Sequence, residues 1–134
     1  MTGAAPTARA TERPSPRAVT LALGLDIVLV IAFAAVGRAS HDSDVWTGLG
    51  QTAWPFLASL AAGWLVTRAW RAPAAPVRTG LGVWAVTVAG GMLLRAASGQ
   101  GTAIAFIVVA ALTLLAALVG WRIIAAAVRR ARRR

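Results

Sequence analysis

Long apolar runs, broken by short polar stretches bearing glycine and proline, dominate the chain. Four runs stand out, over residues 18–36, 52–70, 80–96 and 102–128. A helix needs about 20 residues, at ~1.5 Å each, to cross the hydrocarbon core of a bilayer. The runs match that requirement, the third being somewhat short and softened by Gly90-Gly91. The pattern predicts an all-α, polytopic membrane protein folded as a four-transmembrane-helix bundle.

The breaks between runs carry their own signals. Residues 1–17 are rich in Pro, Thr and Arg, lack an apolar period, and read as a disordered cytoplasmic tail. The first run is interrupted only by Asp26. A secretory signal peptide is the competing reading, with Arg17 before the run and Ala32-Phe33-Ala34 as a cleavage-like site. Signal h-regions are typically about 7–15 residues and disfavour a carboxylate, so a spanning helix is expected instead. Residues 37–51 form a polar, glycine-rich loop. Thr52 is placed to cap the second span, with Pro55 in its first turn, where a missing N–H costs little. Pro73 and Pro76 mark a short turn over residues 71–79, and residues 98–101 make a tight one. Residues 129–134 close the chain as a basic tail.

Four spans put both termini on one side, and arginine decides which. Arg9, Arg13 and Arg17, the loop residues Arg68, Arg71 and Arg78, and Arg122, Arg129, Arg130 and Arg132 to Arg134 make twelve of the 14 basic residues. The other two loops hold only Arg38 and Arg95. By the positive-inside rule both termini are expected in the cytoplasm. Trp46 and Trp54 would then sit at the outer interface, and Trp70 and Trp121 at the inner one.

Composition narrows the alternatives. Hydrophobic residues make up 58% and charged residues 13%, against roughly 25% charged in an average soluble domain. So short a chain could not hide that much apolar surface from water. The net charge is +10, all of its basic residues being arginine, and the Arg, Ala, Gly and Pro usage fits a GC-rich genome. These arginines edge the apolar runs rather than covering one face of a soluble fold, so nucleic acid is not the expected partner. The location that fits is a bacterial plasma (inner) membrane, crossed several times. The absence of cysteine excludes disulfides, thiol catalysis and Cys-ligated zinc.

Small residues recur four apart at Ala58 and Ala62, Ser59 and Gly63, Ala85 and Ala89, and Ala116 and Gly120. In lipid such stripes let helix backbones approach, although alanine richness alone produces some of them. A weak internal echo accompanies them. Arg38-Ala39-Ser40 is followed later by Arg95-Ala96-Ala97-Ser98, Thr52-Ala53 by Thr102-Ala103, and Gly63-Trp64 by Gly120-Trp121. A duplicated hairpin would give a parallel repeat about an axis along the membrane normal.

Asp26 is the strongest chemical signal, because an intramembrane carboxylate costs about 2.5–3.5 kcal/mol on insertion scales at a central position. Its depth puts Arg68 and Arg122 within reach as partners. The expectation is a buried structural pair, with a functional carboxylate as the rival. A second cluster is expected at the outer helix ends. There Arg38, His41, Thr52 and Arg95 would converge on an anion or lipid headgroup, helped by a helix N-terminus at Thr52. The bland alternative is that Arg38 and Arg95 snorkel to headgroups, or that Asp42 and Asp44 neutralise them. His41-Asp42-x-Asp44 is a poor metal site, with three donors in a loop and no partner motif. No nucleophile–base pair, phosphate loop or zinc motif occurs, so no catalytic residues, cofactor or metal are expected and an enzyme is not.

Several motifs together resemble a known family. They are Asp26, Gly37-Arg38-x-Ser40-His41, Thr52-Ala53-Trp54-Pro55-Phe56, Gly63-Trp64, Gly91-Met92-x-x-Arg95, Phe106 to Ala110 and Gly120-Trp121-Arg122. In order and spacing they resemble a domain-of-unknown-function family of small four-span bacterial and archaeal membrane proteins. The resemblance implies a membrane location and no particular activity. The leading expectation is a solute- or ion-binding or transport unit working as an oligomer, since four spans hardly enclose a pathway alone. The rival is an accessory or structural subunit of a larger membrane complex. Beyond such protein partners, the lipid bilayer is the expected surrounding.

Overall fold

A computed structural model describes residue 3 and residues 12–40 and 44–134. The described residues form four long helices. Helix α1 spans Pro16–Ala39 and α2 Val45–Thr67. A 3-10 turn, Ala69–Arg71, leads to α3, Pro76–Ala97, and then to α4, Ile104–Arg132. No strand occurs among the described residues.

Capping chemistry sets the boundaries and moves several of the expected ones. Ser15 accepts from the Ala18 amide (3.1 Å), so α1 opens at Pro16 rather than at residue 18. The Asp44 carboxylate accepts from the Trp46 amide (3.0 Å) and starts α2 at Val45, not at Thr52. Pro55 therefore lies inside the helix, where its missing N–H deprives the Gln51 carbonyl of its helical donor. Arg68 ends α2 in the left-handed region (φ 51°, ψ 51°). Helix α3 begins earlier than expected, with a π-helical stretch over Pro76–Leu81. A second π-helical stretch, Leu115–Val119, interrupts α4, and the two pack on each other. The C-terminal residues expected as a tail continue α4 as helix through Arg132. Of the tail expected over residues 1–17, residues 1, 2 and 4–11 lie outside the described residues.

Among the described residues, helices α1, α3 and α4 are long and apolar enough to cross a membrane, three rather than the four expected. Helix α2 has the length, but Gly48, Gly50, Gln51, Thr52 and Pro55 dilute its first half. Only 17–22% of the most apolar stretch of the other three is buried inside the protein. Val28, Val36, Leu65, Val66, Leu93, Ile104 and Leu112 all face outward. An exterior this apolar calls for lipid rather than water as solvent.

The interior is compact where glycine permits it. Helix α2 packs most extensively on α3 and next on α1, with α4 closing against both α1 and α3. A Cβ on Gly91 would stand 2.5 Å from Phe56 Cδ1, and one on Gly90 2.6 Å from Ser59 Oγ. Gly63 lies close against Val83 of α3. Among the small-residue stripes, then, Ser59 and Gly63 form the α2–α3 seam. Ala58, Ala62, Ala85, Ala89 and Ala116 face outward. Val30, Phe56, Leu60, Val83, Leu114 and Leu118 fill the centre. Phe33 meets Phe56 edge-on at 5.3 Å between ring centroids, and Phe106 completes the aromatic group.

Candidate functional site

Asp26 lies on α1 and Arg122 on α4, and both side chains are fully buried. The guanidinium grips the carboxylate as a fork, Nη1 to Oδ1 at 2.9 Å and Nη2 to Oδ2 at 2.7 Å. Two indoles complete the grip. Trp64 Nε1 donates to Oδ2 (2.9 Å) and Trp121 Nε1 donates to Oδ1 (2.8 Å). The carboxylate thus accepts four hydrogen bonds, which fills its roughly four lone-pair sites. Arg122 spends its remaining reach on backbone, Nε to the Pro73 carbonyl (2.9 Å) and Nη1 to the Leu118 carbonyl (2.7 Å). Its plane also lies over the Trp121 ring, 4.5 Å from the centroid.

The local structure explains how consecutive residues of α4 both reach Asp26. A π-helical turn takes more residues than an α turn and rotates the helix beyond it. The stretch Leu115–Val119 ends just before Trp121 and Arg122 and turns both inward. Opposite it, Gly80 leaves room for the Arg122 stem, since a Cβ there would stand 3.1 Å from Cδ. Of the two basic partners expected for Asp26, only Arg122 serves. Arg68 is exposed and caps α2, away from the carboxylate. Trp121, expected in an interfacial belt, is committed to Asp26 instead. The roles of both tryptophans escaped sequence reasoning, although the repeated Gly-Trp pair had marked their positions.

Farther along α1, about 18 Å away at ~1.5 Å per residue, a second polar group gathers. Arg38 donates through Nε (3.1 Å) and Nη2 (2.9 Å) to the Asp44 carbonyl, and through Nη1 (3.2 Å) to Thr52 Oγ1. Arg95, near the end of α3, uses Nε (3.0 Å) and Nη2 (2.8 Å) on the Gly101 carbonyl and Nη1 (3.0 Å) on Gln100 Oε1. Both arginines reach forward to a carbonyl the same number of residues ahead, with the same two nitrogens. Ser40 and Ser98 hydroxyls each donate back to a carbonyl three residues behind. Arg38 and Arg95 are as far apart in sequence as Trp64 and Trp121.

The two arginines border one cavity of about 300 Å³, lined also by Phe33, Ala34, Gly37, Thr52 and Phe106. Gly48 makes room for Arg38, whose guanidinium occupies the place a Cβ there would take. Arg95 stacks on Phe106, 4.3 Å from the ring centroid. Neither forms an ion pair among the described residues, where Asp26–Arg122 is the only one. Thr52 sits two turns inside α2, so the helix N-terminus expected beside it is not there. His41 and Asp42 lie outside the described residues. Asp44 spends its carboxylate on capping α2, and the described residues hold no cluster of three potential metal ligands.

No curated protein and no solved structure matches the chain. A family model described as "Protein of unknown function (DUF3054)" matches residues 23–125. That stretch contains Asp26 and Arg122 with both tryptophans, and the whole lining of the cavity. The chain is thus a member of this family of unknown function, and the clasp and the cavity fall within the matched region.

Proposed function

We propose that the protein is a four-span membrane protein with both termini in the cytoplasm, and that it binds a small organic anion at its outer end, working as an oligomer. Twelve of 14 basic residues fall on the inner side in this topology, which supports the orientation. The dilute apolarity of α2 is compatible with spanning, because Thr52 turns to the arginine cavity and Gly63 to α3.

One observation carries the binding reading. Two guanidiniums without a carboxylate partner among the described residues border a single cavity floored by Phe33 and Phe106. Positive heads over aromatic rings suit a carboxylate or phosphate attached to a compact apolar group. The Asp26 clasp has no acceptor site left for a ligand, so its role is to hold α1 against α4. A second reading, an accessory subunit of a larger membrane complex, draws on the outward-facing Ala58, Ala62, Ala85 and Ala89. Co-purification of one stoichiometric partner from native membranes would favour it.

The binding reading is tested with benzoate and inorganic phosphate titrated into purified protein by calorimetry. Saturable binding that weakens with salt is expected. Arg38→Ala and Arg95→Ala should each reduce affinity, and less than additively in combination, because they share one ligand. Binding unchanged in both variants would refute the proposal.

A further inference from the structure

The opposite end of the bundle holds a larger groove, of about 880 Å³, between the segment leading into α1 and the α2–α3 connection. Arg13, Arg71 and Arg78 line it, with Glu12 as its one acid. None of the three arginines makes an ion pair or a side-chain hydrogen bond among the described residues, and all three are exposed. Three like charges around one groove repel each other, and the chain supplies a single carboxylate against them. A counter-charge from outside the chain would relieve that repulsion.

The groove is also held in shape. Ala69 of the connection is fully buried, and Thr79 Oγ1 donates to the Ala72 carbonyl. Arg122 Nε holds the Pro73 carbonyl at 2.9 Å, so the clasp on Asp26 anchors the loop that carries Arg71. Trp70 stands at the rim, 42% exposed, where an indole suits the headgroup level of a bilayer. Val19 and Thr20 of α1 form the wall that continues into the apolar face of the helix.

We propose that this groove binds the headgroup of an anionic phospholipid, with its phosphate on Arg71 and Arg78 and an acyl chain descending along α1. Guanidiniums pair with phosphate oxygens as a fork, and basic pockets at helix ends take such headgroups in membranes. Rim tryptophan and apolar wall select an acylated phosphate over a free one. The inference rests on the membrane location but not on the outer anion cavity.

Full-length protein is purified in a mild detergent, delipidated, and mixed with dioleoylphosphatidylglycerol or dioleoylphosphatidylcholine. Lipid retained per protein is then read by native mass spectrometry. Phosphatidylglycerol should be retained in preference to phosphatidylcholine. Arg71→Ala with Arg78→Ala should reduce its retention roughly ten- to thirty-fold, with lipid-free melting unchanged because both side chains are exposed. Arg129→Ala with Arg130→Ala serves as a control of equal charge loss and should leave retention intact. Equal retention of the two lipids, or an equal loss in the control, would overturn the site. Displacement of the lipid by millimolar inorganic phosphate would overturn the choice of a lipid over a free anion.

Discussion

Substituting Asp26 by Asn removes one charge and almost no volume, which makes it a sharp probe of the clasp. The carboxylate accepts from Arg122 twice and from each of two indoles. An amide keeps one oxygen and turns the other position into a donor. Two of the four donors then face an N–H instead of a lone pair, each at a cost of about 1–3 kcal/mol. Arg122, fully buried, also loses its only counter-charge among the described residues. Removing one partner of a buried pair costs about 3–5 kcal/mol, and the two routes to the number agree. Thermal unfolding in detergent, followed by tryptophan fluorescence, reads the effect, and Trp64 and Trp121 report from the site itself. Replacing both members, Asp26→Leu with Arg122→Met, removes the uncompensated charge. It also strips the Trp64 and Trp121 N–H groups of their acceptor, so it should recover only part of the loss. An Asp26→Asn variant within about 0.5 kcal/mol of the parent (surface substitutions fall in that range) would refute the argument.

Topology gives a second expectation: reporter fusions after Arg78 and at the C-terminus should score as cytoplasmic and one near Asp44 as external. An external C-terminus would remove the four-span reading. Gly91→Ala should destabilise the bundle by about 1–3 kcal/mol in the same melting assay, since overpacking a filled core costs that much. Its new Cβ would meet the Phe56 ring, which has no exposed surface into which to move. Wild-type melting would show that the α2–α3 seam has room for a methyl group.

Hydrophobic runs made the helices legible in the sequence, and a lone carboxylate in the first run singled out Asp26. Its partner was narrowed to two residues. Sequence depth could not separate Arg68 from Arg122, because the left-handed cap that sends Arg68 outward depends on the local backbone. The start of α2 was misplaced because the Asp44 cap lies in a stretch that composition marks as loop. The π-helical stretch Leu115–Val119 leaves no signature in its apolar run, so the joint turning of Trp121 and Arg122 toward Asp26 was invisible. An indole near a helix end also reads as a belt residue until its partner is seen. Arg38, Thr52 and Arg95 were legible as a group because short connections bring the ends of α1 and α3 beside the first turns of α2.

The clasp ties residues separated by 96 positions, and that separation has a consequence for how the protein is made. The ribosome delivers about 5–20 residues per second, so Asp26 is synthesised roughly 5–20 s before Arg122. Trp64, 38 residues after Asp26, is the first clasp partner to follow it. Until α4 is made, α1 carries an incompletely satisfied carboxylate. Synthesis of α4 is therefore what completes the satisfaction of the carboxylate on α1.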